Sequence, residues 1–87
     1  MIVGVNRVLS HDGHDYQLQI EDLGVEAGAF EARVYEHGAV LWRRRVAYQE
    51  LTAKGLPKIE FEEALRAVME KTLHTVEAAI HKGKLGS

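Results

Sequence analysis

The sequence predicts an α+β domain: a four-stranded antiparallel β-meander followed by one long C-terminal amphipathic α-helix, in the order ββββα. Three observations carry that prediction. Apolar and polar residues alternate through the first half, turn signals interrupt that alternation at regular intervals, and after Pro57 the apolar spacing changes to the helical period. The 87 residues read as a single domain, with the sheet at about 2–48, a short turn or helix at about 48–54, the long helix at about 58–82 and a flexible tail at 83–87.

The first hairpin is the clearest element. Asp12-Gly13 suits a two-residue type I′ turn, which needs positive φ at both positions. That turn sets His11 against His14, Leu9 against Tyr16, Arg7 against Leu18 and Val5 against Ile20, which keeps apolar residues on one face. A slip of one residue would mix the faces. Tyr16-Gln17-Leu18-Gln19-Ile20-Glu21 alternates strictly, and Phe30, Ala32 and Val34 alternate with Glu31, Arg33 and Tyr35 in the same way.

For the second hairpin, around Glu36-His37-Gly38, the pattern predicts a three-residue loop with Gly38 in the left-handed position. Val34 then faces Val40, Ala32 faces Trp42, Gly28 faces Val46, and Glu31 lies across from Arg43 as a favourable charge pair. A two-residue His37-Gly38 turn would instead put Arg43 and Arg45 beside Ala32 and Phe30. The connection from about Leu23 to Ala27 has flanking glycines but no decisive turn type. Arg7 and Arg44 break the inner apolar face, both on edge strands, where inward charge guards against edge-to-edge aggregation.

Pro57 suits the start of the long helix, Glu60, Glu62 and Glu63 complement its positive end, and Lys82-Gly83 suits its finish. Glu62–Arg66, Glu70–His74 and Glu77–His81 are spaced for exposed pairs four residues apart. Phe61, Leu65, Val68, Met69, Leu73, Val76 and Ile80, with Ala64, form a stripe roughly 180° wide, against a minimum near 100° for a surface helix. That width, together with a length of roughly 36 Å, predicts a second partner surface. Met69, Leu73, Val76 and Ile80 are the expected interface of a homodimer built through this helix. A chain this short has a thin core of its own, and oligomerisation is a common supplement.

Composition narrows the function classes. The absence of cysteine excludes disulfides and thiolate metal sites. A net charge of −2 argues against a polyanion binder that works by bulk charge. Met1-Ile2-Val3-Gly4-Val5 lacks the basic start and apolar run of a signal peptide, and no apolar run is long enough for a membrane span, so a cytoplasmic location without membrane association is expected.

His11, His14 and the aspartates around them are metal-ligand types on a hairpin whose Asp12-Gly13 is already explained by the turn; no metal is expected there. Glu70, His74, Glu77 and His81 share a helical face, and ion pairing accounts for that spacing. There is no Gly-x-Ser-x-Gly elbow, phosphate loop or dinucleotide fingerprint, so neither enzyme chemistry nor a cofactor is expected. Arg43-Arg44-Arg45 carries more. Alternation sends Arg43 and Arg45 to the outer sheet face, where Arg33 and Tyr35 join them, and arginines with an aromatic ring suit a single-stranded nucleic-acid platform. Glu21 and Glu31 share that face and lower its positive charge.

In element order, four strands and then a helix, the chain resembles the single-strand-binding coactivator family called positive cofactor four, whose members dimerise. The resemblance is one of topology, and no residue is carried over from it. The reading that follows from the residues is a non-enzymatic protein-interaction module, homodimeric through its C-terminal helix. The alternative is a dimeric single-stranded nucleic-acid binder using Arg33, Tyr35, Arg43 and Arg45.

Overall fold

The computed structural model describes residues 4–85. The strands are β1 (Gly4–His11), β2 (His14–Asp22), β3 (Ala29–Glu36) and β4 (Ala39–Ala47), followed by a short helix α1 (Gln49–Ala53) and the long helix α2 (Lys58–His81). The four strands form one antiparallel sheet in the order β1-β2-β3-β4, so the predicted ββββα arrangement is the fold. The expected start of the sheet at residue 2 and the last tail residues, 86 and 87, lie outside the described residues. Leu85, expected in the flexible tail, packs against the core.

The first hairpin has the predicted register, from His11 opposite His14 to Val5 opposite Ile20. Asp12 and Gly13 both take positive φ, 50° and 77°. The second hairpin differs from its prediction. Glu36 faces Ala39, which leaves His37-Gly38 as a two-residue turn with φ of 52° and 79°, the type I′ pattern again. One step further, Tyr35 pairs with Val40 and Val34 with Trp42, so Leu41 is the extra residue of a β-bulge. The bulge returns Trp42, Arg44 and Val46 to the inner face. Their partners are Val34, Ala32 and Phe30, not the ones predicted, and Glu31 faces Arg45 while Arg43 faces Arg33.

The core is the inner sheet face closed by α2. Leu18 and Ile20 of β2 and Phe30, Ala32 and Val34 of β3 pack against Leu65, Met69, Leu73, Val76 and Ile80 of α2. These helix residues recur every three or four positions and so fall on one side. Met69, Leu73, Val76 and Ile80 are therefore the protomer's own core, at most 5% exposed, rather than a face open to a second copy. The sheet consumes the apolar stripe that the sequence assigned to a dimer. Val68, at the margin of the stripe, is the member left exposed.

Polar contacts hold α2 to the β1 side. Arg7 donates to Glu70 at 2.8 Å and to Glu77 at 3.4 Å. Those glutamates are seven residues apart, two helical turns, and face the sheet edge together. They turn toward Arg7 rather than forming the predicted pairs with His74 and His81, and the hydrogen bond to Glu70 holds the Arg7 guanidinium above its ordinary pKa. His81 meets His11 instead, with their Nδ1 atoms 3.2 Å apart. The helix ends in a Schellman arrangement: Gly83, at φ 67°, donates to Ile80 at 3.0 Å, and Lys84 donates to Ala79 at 2.8 Å.

Tyr48 ties the two ends of the β2–β3 loop to the start of α1. Its hydroxyl donates to Asp22 Oδ1 at 2.6 Å, and the Gly24 N–H donates to the same oxygen at 3.0 Å. The Tyr48 N–H donates to the Gly28 carbonyl at 2.7 Å. Its ring stacks on Phe30 and meets Phe61 edge-on. Burial, then the hydrogen bond to Asp22 and its charge, push the Tyr48 phenol up to about 12.

A phenol raised in the folded state favours folding fully below its unfolded pKa, near 10, and that contribution is lost as pH rises to about 12. Urea unfolding across that window should show stability falling with pH, and Tyr48→Phe should remove much of the slope. At Gly13 an added Cβ meets no atom within 4 Å, so Gly13→Val tests backbone strain alone. It should cost about 1–3 kcal/mol in the same assay.

Candidate functional site

Two surfaces collect residues that carry chemistry, and they lie on opposite faces of β4. On the outer face Arg33, Tyr35, Arg43 and Arg45 do come together, on β3 and β4, as alternation predicts. Their charges are unequal in availability. Arg33 Nη2 donates to Glu21 at 3.2 Å, and its Nε lies 3.4 Å from Glu31. Glu21 and Glu31 are direct cross-strand partners, so the guanidinium neutralises two like charges set against each other. Tyr35 is half-buried. Arg43 and Arg45 are exposed, and among the described residues no carboxylate lies within ion-pair distance of either.

The inner face opens a different site. With α2 drawn toward β1, the inner side of β4 has no complete cover. Trp42 and Val46 stay half-buried and Arg44 is exposed. Between β4 and α2 runs an open groove of about 580 Å³ with an apolar floor of Trp42, Val46, Val68, Val76, Ala79 and Leu85. Arg44 and Arg45 from β4, Lys71 from α2 and Lys84 beyond it add positive charge, and Thr72 and Thr75 supply hydroxyls. Among the described residues, no aspartate or glutamate lines it. Both hydroxyls already donate within the helix, Thr72 to the Val68 carbonyl and Thr75 to the Lys71 carbonyl, each at 3.0 Å. Apolar floor and cationic rim are the main recognition elements.

The groove edge is also a strand edge. β4 pairs with β3 on one side only, so its other side presents backbone N–H and C=O groups without a strand partner. The bulge at Leu41 interrupts that edge near the hairpin and leaves the run from Trp42 to Ala47 regular. Leu41, exposed at 49%, borders a neighbouring hollow with Ile80 and Leu85 and so extends the apolar surface beyond the mouth of the groove, whereas Val40 pairs with Tyr35 and shares its outer face.

The two hairpin histidines have separate partners. His11 contacts His81 and lies 3.3 Å from Asp12, whereas His14 stacks on Tyr16 and bonds Glu36. Among the described residues, no group of three or more histidines and carboxylates is arranged to hold a metal. No helix of the described residues is long and apolar enough to cross a membrane.

Sequence reasoning did not find the groove. Its cations come from three separate places in the chain, and its floor depends on where α2 lies across the sheet. One signal was available: inward Arg7 on β1 and two glutamates seven apart on the helix specify which side α2 favours. Comparison with protein-family models, with curated proteins and with solved structures finds no match for this chain.

The two kinds of outer-face arginine should separate in stability measurements. Arg33→Ala leaves Glu21 and Glu31 opposed without a cation and should cost about 1 kcal/mol, less at high salt. Arg43→Ala and Arg45→Ala should each change stability by less than about 0.5 kcal/mol. Chemical denaturation at two ionic strengths checks both.

Proposed function

We propose that this protein is a non-enzymatic interaction module whose docking surface is the β4–α2 groove together with the open edge of β4. The observation that carries the reading is the incomplete cover of β4. A half-buried tryptophan, exposed branched side chains and unpaired strand backbone lie side by side there. Exposed apolar surface rimmed by polar groups is characteristic of binding sites, and aromatic and arginine side chains are the residue types that dominate binding energy. A partner is thereby expected on the β4 side of α2, not on the face formed by Met69, Leu73, Val76 and Ile80.

A second reading, single-stranded nucleic-acid binding on the outer face, has one observation in its favour: Arg43 and Arg45 have no carboxylate partner among the described residues. With Arg33 held by two glutamates, that face offers few phosphate contacts, and affinity scales with the phosphates neutralised.

Both readings can be tested directly. The single tryptophan lies in the groove, so its emission reports occupancy. Peptides selected from a random display library should shift that emission to the blue and move the backbone amide resonances of β4 and α2. Val68→Asp should weaken them roughly tenfold or more. Selected peptides that all map elsewhere would defeat the docking reading. A labelled oligothymidylate titrated by fluorescence polarisation serves the second reading. It requires binding that survives about 150 mM salt and a shallower salt slope in the Arg43→Ala, Arg45→Ala double variant.

A further inference from the structure

We infer that the occupant of this surface is an acidic, extended segment of another protein, which adds to the sheet as a fifth strand beside β4. The inference rests on the docking reading above and specifies its partner.

The edge itself sets the first requirement. An open strand presents donors and acceptors in alternation, and another polypeptide strand satisfies both. A phosphate backbone accepts hydrogen bonds but does not donate them, so it would leave the β4 carbonyls unmatched. The regular run from Trp42 to Ala47 is long enough for a segment of about six residues, roughly 20 Å at strand spacing.

The groove sets the second requirement. Alternate side chains of an added strand project to the inner face, where Trp42, Val46 and Val68 border the space. That side of the segment needs apolar groups to displace water from the floor. The remaining side chains project to the outer face, beside Arg43 and Arg45.

Charge sets the third. An added strand meets cations on both faces: Arg44, Lys71 and Lys84 on one, Arg43 on the other, and Arg45, an outer-face residue that also borders the groove. Among the described residues no carboxylate neutralises Arg43, Arg44 or Arg45. Acidic residues interspersed with apolar ones complement this arrangement. A second copy of the chain does not, because antiparallel pairing of two β4 edges sets one run of three arginines against the other, and like charges across strands are unfavourable.

The probe is a fluorescein-labelled nine-residue peptide alternating glutamate and valine, matched to the length of β4. It is titrated against the full chain by polarisation and by amide-resonance mapping. The inference expects saturable binding, with the largest resonance changes in β4 and in the α2 residues that face it. Arg43→Glu with Arg45→Glu, the pair beside the peptide's glutamates, should weaken binding roughly tenfold or more, and circular dichroism should show the double variant folded, since both side chains are exposed. Lys84→Glu alone, beyond the end of α2, provides an independent check with a smaller loss. N-methylation of alternate peptide nitrogens, which removes strand pairing but keeps every charge, should abolish binding.

Equal binding of the N-methylated peptide would overturn strand addition. Equal binding of peptides with glutamine or lysine in place of glutamate would overturn the acidic requirement while leaving the docking reading intact. An oligothymidylate that displaces the peptide from β4 and binds more tightly, or self-association mapped to β4, would replace the inferred occupant. If no peptide moves the resonances of β4 or α2, the docking reading fails as well.

Discussion

One helix is too narrow to cover a four-stranded sheet. Strands about 4.8 Å apart place the two outer strand axes about 14 Å from each other, and their side chains reach further. An α-helix with its side chains is about 10 Å across. A ββββα chain with a single long helix must therefore leave part of the inner face open, and the protein has to specify which part. Here β2 and β3 are covered, β1 is reached by polar side chains, and β4 is left partly bare.

Energy and position have different sources in this arrangement. Burying Leu65, Met69, Leu73, Val76 and Ile80 contributes on the order of 10 kcal/mol before entropy is counted. Arg7 and its two glutamates are partly exposed, and such pairs are worth less than about 1 kcal/mol each. The apolar seam drives α2 onto the sheet, and side chains of both edge strands, Val5 and Leu9 on β1 and Trp42 and Val46 on β4, pack against it. Arg7 adds a polar contact on the β1 side that the helix meets with Glu70 and Glu77. An arginine that looks like a defect in the apolar pattern thus favours the placement that leaves the groove beside β4.

What could be read from the sequence follows the range of the interactions. The first hairpin was legible because Asp12-Gly13 and the alternation around it are local and agree with each other. The second was legible in its faces from Trp42 onward and wrong in its partners, and Val40, expected inward against Val34, pairs with Tyr35 on the outer face. Trp42, Arg44 and Val46 point inward as predicted, but a bulge at Leu41 achieves this, and no residue there announces a bulge. His37 at positive φ supplies a two-residue turn that the three-residue prediction did not use. The helix span was plain from its periodicity and end signals. Its breadth misled, since the apolar stripe measures how much surface is buried and not whose surface buries it. Of the candidate site, Arg43 and Arg45 were placed correctly on the outer face. The groove was not foreseen, because it comes from the lateral position of one element on another, and strand and helix periods do not encode that.

The nearest-neighbour order of the strands has a consequence during synthesis. Each strand pairs with the one just before it, so hairpins of small loop-closure cost can assemble as the chain emerges. The contacts of α2 with β1 are different: Arg7 meets Glu70 and Glu77 across 63 and 70 positions of chain. Until the residues through His81 have left the ribosome, roughly a few seconds after β4 at ordinary elongation rates, Leu18, Ile20, Phe30, Ala32 and Val34 have no helix above them. In that interval the nascent sheet exposes an apolar face of the kind that favours aggregation, and the arginine run on its last strand keeps its newest edge charged.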